Sequence, residues 1–171
     1  LDMLKGVKNN FGTYQTLGNI IIKDPAPGSD EGYSGYVRKS DINNGVETVH
    51  YAWDGITYDR EYFVSNPANV LAIRLTADQP GAITKQFSLE SEQKKKDIYV
   101  DEERATVTMT GRPSDQKDNG LRFAQQIKII AEGGTIQKFD DSTLSVEGAD
   151  SVTVLMGAGT NYQVDASAAS Y

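Results

Sequence analysis

The side chains with most chemistry to offer are one histidine and a surplus of carboxylates. His50 is the single histidine, and the register of its hairpin sets Asp59 across from it. An imidazole facing a carboxylate can be held in one tautomer or as an ion pair. No nucleophile stands beside the pair, so a catalytic triad is not indicated and a structural or surface pair is preferred. With no cysteine and no second histidine, a metal site would have to be built from carboxylates.

The acidic segments fall short of that. Asp115–Gly120 reads Asp-Gln-Lys-Asp-Asn-Gly, with a faint likeness to a calcium loop. Lys117 puts a cation where a ligand belongs, and Gln126 stands where the bidentate acid is required, so a solvated loop is expected. Asp140-Asp141 and Asp101-Glu102-Glu103 could help to bind Ca²⁺, but turns favour such residues in any case. Lys94-Lys95-Lys96 is expected to be an exposed loop that discourages edge pairing. Gly133-Gly134 lacks the strand-to-helix setting of a phosphate loop and is expected to be a turn. Carboxylate pairs can serve as acid and base, yet with 24 acidic residues no pair stands out. No catalytic residue, metal site or cofactor is assigned.

The elements that position these groups are strands. Two β-rich runs flank Asp54-Gly55, the pattern of a two-residue type I′ hairpin. This register sets Trp53 opposite Ile56, Tyr51 opposite Tyr58 and His50 opposite Asp59. One face then carries Tyr51, Trp53, Ile56 and Tyr58, where aromatic pairs support one another. The other carries Thr48, His50, Ala52, Thr57, Asp59 and Glu61.

Further strands are expected over 17–23, 36–42, 70–77, 83–90, 98–101, 105–110, 121–131, 135–137, 144–146 and 152–156. Leu121, Phe123, Ile127 and Ile129 are expected to face inward. A helix is suspected only at Leu1 to Lys8, too short to hold alone. Glycine and proline punctuate the chain and no long segment keeps a helical period. The fold class is therefore all-β: an antiparallel β-sandwich with little or no helix. A single domain spans 1–171, with 163–171 as linker or tail and Ala166 to Tyr171 small and polar.

Composition narrows the function classes. The 171 residues suffice for one real core. A net charge of −7 argues against non-specific nucleic-acid binding, which needs a basic field. No apolar run approaches the roughly 18 residues of a membrane span. The first residues, Leu-Asp-Met-Leu-Lys, do not form a signal peptide, although a cleaved signal or a piece cut from a longer protein would look the same.

Several motifs, in order, carry a resemblance. Gly12-Thr13-Tyr14-Gln15-Thr16-Leu17-Gly18-Asn19-Ile20 is similar to the Tyr-Gln-Pro-Leu-Gly-Asp-Leu segment in the N-terminal β-sandwich domain of glycoside hydrolase family 95. Tyr36-Val37-Arg38-Lys39-Ser40-Asp41-Ile42 resembles that family's Tyr-x-Arg-x-Leu-Asp-Leu. Val49, Tyr51, Gly55, Tyr58, Arg60, Glu61, Phe63, Ser65 and Pro67 stand at family-like places, and Val70 to Ala77 resembles the next strand. Gly120-Leu121-Arg122-Phe123, Glu132-Gly133-Gly134, Gly148-Ala149-Asp150 and Thr160-Asn161-Tyr162 extend the likeness over about 12–162. Thr16, Asn19 and Ser40 depart from the pattern and mark a divergent member.

The resemblance implies a supersandwich-type domain, truncated at its N-terminal side. The family's members are inverting exo-α-L-fucosidases and α-L-galactosidases whose catalytic (α/α)₆ barrel follows this domain. Nothing here looks like that barrel, so no catalytic residue is carried over. The implied role is a non-catalytic accessory domain of a bacterial, secreted or periplasmic hydrolase. Its implied partner is a helical catalytic domain of the same or a neighbouring polypeptide, with no nucleic acid and no membrane insertion. The rival is a free-standing carbohydrate-binding or structural interaction module. Sugar binding would need exposed rings with convergent polar groups, and Trp53, Tyr51, Tyr58 and Tyr62 are the candidate contacts. The competing reading puts these four in the core.

Overall fold

The computed structural model describes residues 15–25, 32–113 and 121–162. The described residues contain strands and turns but no helix, and thus none long and apolar enough to cross a membrane. The strands are β1 (Asn19–Lys23), β2 (Ser34–Asp41), β3 (Val46–Trp53), β4 (Ile56–Ser65), β5 (Val70–Ala77), β6 (Ile83–Glu90), β7 (Lys95–Asp101), β8 (Thr106–Arg112), β9 (Phe123–Glu132), β10 (Thr135–Lys138), β11 (Thr143–Ala149) and β12 (Ser151–Thr160). They form a four-stranded sheet, β1-β6-β11-β10, and an eight-stranded sheet, β2-β3-β4-β5-β12-β9-β8-β7. Among the described residues the strand pairs are all antiparallel, so the expected all-β sandwich is what forms.

Strand alternation builds the core. On β6, Ile83, Phe87 and Leu89 point inward and are nearly solvent-free. They meet Ile73 and Leu75 of β5, Val107 and Met109 of β8, Ile127 and Ile129 of β9, and Val152 and Val154 of β12. Leu144 and Val146 of β11 complete the cluster. Each such side chain contributes roughly 1.5–3 kcal/mol by leaving water. The small sheet is narrower than the large one: β6 and β11 pack on β5, β8 and β9 and share one core with β12. The inner face of β2, β3 and β4 therefore runs on past the core.

Some expected boundaries move. The first strand starts at Asn19, not Leu17. Gly18 approaches β6 so closely that a Cβ there would lie 2.2 Å from the Glu90 carbonyl oxygen. The strand expected from Ile98 starts at Lys95, where Lys95 and Lys96 pair with Arg112 and Gly111. The lysine run is thus part of an edge strand and not wholly a loop. The strand expected from Leu121 starts at Phe123, because the Asn161 side chain accepts from the Arg122 N–H at 2.7 Å in place of a ladder bond. Phe123, Ile127 and Ile129 do point inward, while Leu121 is only half-buried. β12 runs on through Gly157, Ala158 and Gly159, whose weak strand propensity is overridden by pairing with β9. Leu1 to Lys8, Asp115 to Gly120 and 163–171 lie outside the described residues.

Candidate functional site

The hairpin forms as its turn dictates. Asp54 and Gly55 both have positive φ, 50° and 74°, as a type I′ turn requires. The pairs Trp53–Ile56, Tyr51–Tyr58 and His50–Asp59 follow. On the outer face, His50 Nδ1 lies 2.7 Å from Asp59 Oδ1, and both side chains are about half exposed. The pair is a surface contact with no nucleophile attached.

The inner face of the flank is a groove of about 800 Å³ between Tyr33, Tyr36, Val49, Tyr51 and Tyr62, with Arg38, Glu47 and Arg60 as its polar side chains. Tyr33 lies over Trp53, with centroids 6.1 Å apart and planes 24° from parallel, and it tilts against Tyr51 at 5.7 Å. Arg60 donates from Nη2 to the Tyr51 hydroxyl at 3.0 Å, and its guanidinium lies 5.3 Å from that ring's centre. Across the groove, Arg38 Nε donates to Glu47 Oε1, and the Ser40 hydroxyl donates to Glu47 Oε2 at 2.7 Å. The Ser40 hydroxyl and then the Arg38 guanidinium hold the Glu47 carboxyl below its usual range. An ionised, doubly bonded carboxylate is a poor proton donor. Among the described residues it is also the only acid of the groove lining, whereas glycoside hydrolysis ordinarily uses two.

All four sugar-contact candidates point to this inner face, but they differ in exposure. Tyr51 and Tyr58 are 6% and 7% exposed and stack on each other, so their ring faces are already covered. Trp53 and Tyr62 are half-buried. The exposed rings are Tyr33 and Tyr36, the latter 64% exposed, and neither was among the candidates. The signal for Tyr36 was its place on the strand beside the hairpin, joined by the short turn through Asn43-Asn44-Gly45. Asp41 closes that turn, its carboxylate accepting from the Asn43 and Asn44 N–H groups and the Asn44 side chain. Among the described residues, no group of three or more His, Asp or Glu side chains is placed to hold a metal ion.

The two sheets thus define an antiparallel β-sandwich with a fully formed core and an aromatic groove on its overhanging flank. Residues 2–165 match the family model described as "Glycosyl hydrolase family 65, N-terminal domain", and the chain belongs to that family. It is similar to "Alpha-L-fucosidase 2" of Arabidopsis thaliana, with 25% identity over 169 residues, covering 87% of this chain and 20% of that protein. It is also similar to "Probable alpha-fucosidase A" of Aspergillus niger, with 28% identity over 157 residues, covering 90% of this chain and 19% of that protein. The chain thus spans about a fifth of the curated relatives it matches. Among solved structures, "Putative kojibiose phosphorylase from human microbiome" shares the fold, with a TM-score of 0.50 and 10% identity over 85% of this chain and 23% of that one.

Proposed function

We propose that this domain is the N-terminal accessory domain of a glycoside hydrolase resembling the family 95 inverting α-L-fucosidases and α-L-galactosidases. It has no turnover of its own and packs on an (α/α)₆ catalytic barrel through the inner face of β2–β4. A secreted or periplasmic setting belongs to the same reading. The observation that carries it is the overhang. Three strands of the large sheet extend past the small sheet and leave Tyr33, Tyr36 and Val64 uncovered on the face that is core elsewhere, Val64 at 72% exposure. Clustered apolar side chains beside a finished core mark a surface meant for a neighbour. The likeness to two α-fucosidases over a fifth of their length supports a neighbour in the same enzyme.

The test is association of the chain with the helical catalytic domain of its parent enzyme, produced separately. Hydrogen exchange should show new protection on β2–β4, and Tyr36→Asp or Val64→Asp should weaken binding by about tenfold or more. Association that ignores both substitutions, or hydrolysis of aryl α-L-fucosides by this chain alone, contradicts the reading.

A further inference from the structure

We propose a binding site for an acidic saccharide at the end of the large sheet away from the aromatic groove. The topology assembles it. β7 and β9 begin, and β8 and β12 end, at the same edge of the sheet. Their terminal residues line an open cleft of about 810 Å³ whose charged lining, among the described residues, is Lys94, Lys96, Arg112 and Arg122 with the carboxylate of Asp97. Four cations converge here in a chain whose net charge is −7. Nη1 of Arg112 is shut off from solvent and has no hydrogen-bond partner among the described residues. A desolvated guanidinium N–H without an acceptor is costly, and an oxyanion would satisfy it.

The rest of the lining says what the oxyanion is attached to. The cleft far exceeds a bare sulfate or phosphate. Thr110, Thr160 and Asn161 offer hydroxyl and amide groups of the kind that bind sugar hydroxyls. Ala124, Gly111 and Gly159 add apolar lining for the C–H face of a ring, while Phe123 beneath them belongs to the core. Asn161 is itself held in place, its side chain accepting from the Arg122 N–H at 2.7 Å and its own N–H donating to the Arg122 carbonyl at 3.1 Å. An anionic group on a polyhydroxylated body, a uronate or a sulfated sugar, fits this chemistry. The site lies on strands that the overhanging flank does not use, so it stands whether or not that flank docks on a partner.

The experiment is titration of the full chain by NMR and calorimetry with three probes: a galacturonate disaccharide, the corresponding neutral galactose disaccharide, and inorganic sulfate. The expected result is binding of the acidic disaccharide about tenfold or more tighter than either other probe, with amide shifts centred on Gly111, Arg122 and Asn161. Its affinity should fall as ionic strength rises from about 0.05 to about 0.5 M. Arg112→Gln should weaken it by about tenfold or more with neutral-sugar binding unchanged. Arg122→Gln, at an exposed position, should weaken it too and decides the matter if the Arg112 variant does not fold. Equal affinity for the neutral disaccharide, sulfate binding as tightly as the acidic sugar, or no loss in either folded variant overturns the proposal.

Discussion

Tyr51 and Tyr58 stack across β3 and β4 with ring centroids 5.3 Å apart and planes 18° from parallel. Their alignment is set by the Asp54-Gly55 turn midway between them in the chain. A one-residue slip would send one ring of the pair to the opposite face. Gly55 has φ 74°, and a Cβ built there would meet nothing within 4 Å. Substitution would therefore cost conformational strain without a clash. We predict that Gly55→Val destabilises by about 1–3 kcal/mol, read as a lowered melting temperature. An unchanged melting temperature would argue that the turn does not hold the register.

What was legible in the sequence follows the same logic. Val70–Ala77 and Ile83–Glu90 have the ends that alternation and the Gln79-Pro80-Gly81 turn imply. The hairpin register was legible because two residues decide it. The exposure of the rings was not. Tyr51 and Tyr58 become covered while Tyr36 stays open because the small sheet stops near β5, and that limit is set by non-local pairing of β6 with β1 and β11. The groove's polar set was hidden for a related reason. Arg38 meets Glu47 only once β2 folds back on β3, with its register shifted by an irregularity between Ser34 and Val37.

Lys85 tests how the edge of the core is closed. It points inward from β6 among apolar residues, and its side chain is 8% exposed. Its ammonium group pairs with Asp24 and sits 5.6 Å from the centre of the Tyr58 ring. The pair thereby covers Tyr58 where the small sheet ends. Removing only the acid leaves a buried cation with the ring as its remaining partner. Asp24→Ala should therefore cost about 1–3 kcal/mol in chemical denaturation. Lys85→Met, which removes the charge and keeps the stem, should cost less than Asp24→Ala. The reverse order would show that the charge itself stabilises the fold.

The pH dependence has two limbs. Asp41 is held below the usual carboxylate range by the Asn44 side chain, then by backbone N–H groups. Asp101 is lowered by the Arg104 N–H and guanidinium, and Asp140 by the Ser142 N–H. Depressed carboxylates stabilise the fold above their unfolded values, about 4, and lose that contribution as pH falls through the folded ones. At the other end, burial pushes the Tyr58 phenol above its ordinary value. The unfolded chain then releases that proton first, so stability falls as pH rises beyond about 10. Melting temperature should be level near neutrality and fall on both sides. Asp41→Asn should flatten the acid limb, and Tyr58→Phe the alkaline one. Limbs unchanged in these variants would assign the titration to other groups.

The aromatic groove leads to the last prediction, on neutral sugars. A binding platform needs a ring face open to solvent and polar groups free to meet hydroxyls. Two of the four rings first considered, Tyr51 and Tyr58, face each other, and Arg60 is engaged with the Tyr51 hydroxyl. Glu47 already accepts from Arg38 and Ser40, so a sugar hydroxyl would have to displace bonds that are in place. Tyr36 and Tyr33 are open, but an exposed ring pair beside satisfied polar groups suits a protein partner better than a glycan. Titration with neutral fucose-, galactose- and xylose-containing glycans should give no binding tighter than about millimolar, roughly −4 kcal/mol. Micromolar affinity for one of them, lost in Tyr36→Ala with the melting temperature unchanged, would make the groove a sugar site and withdraw it as a docking surface.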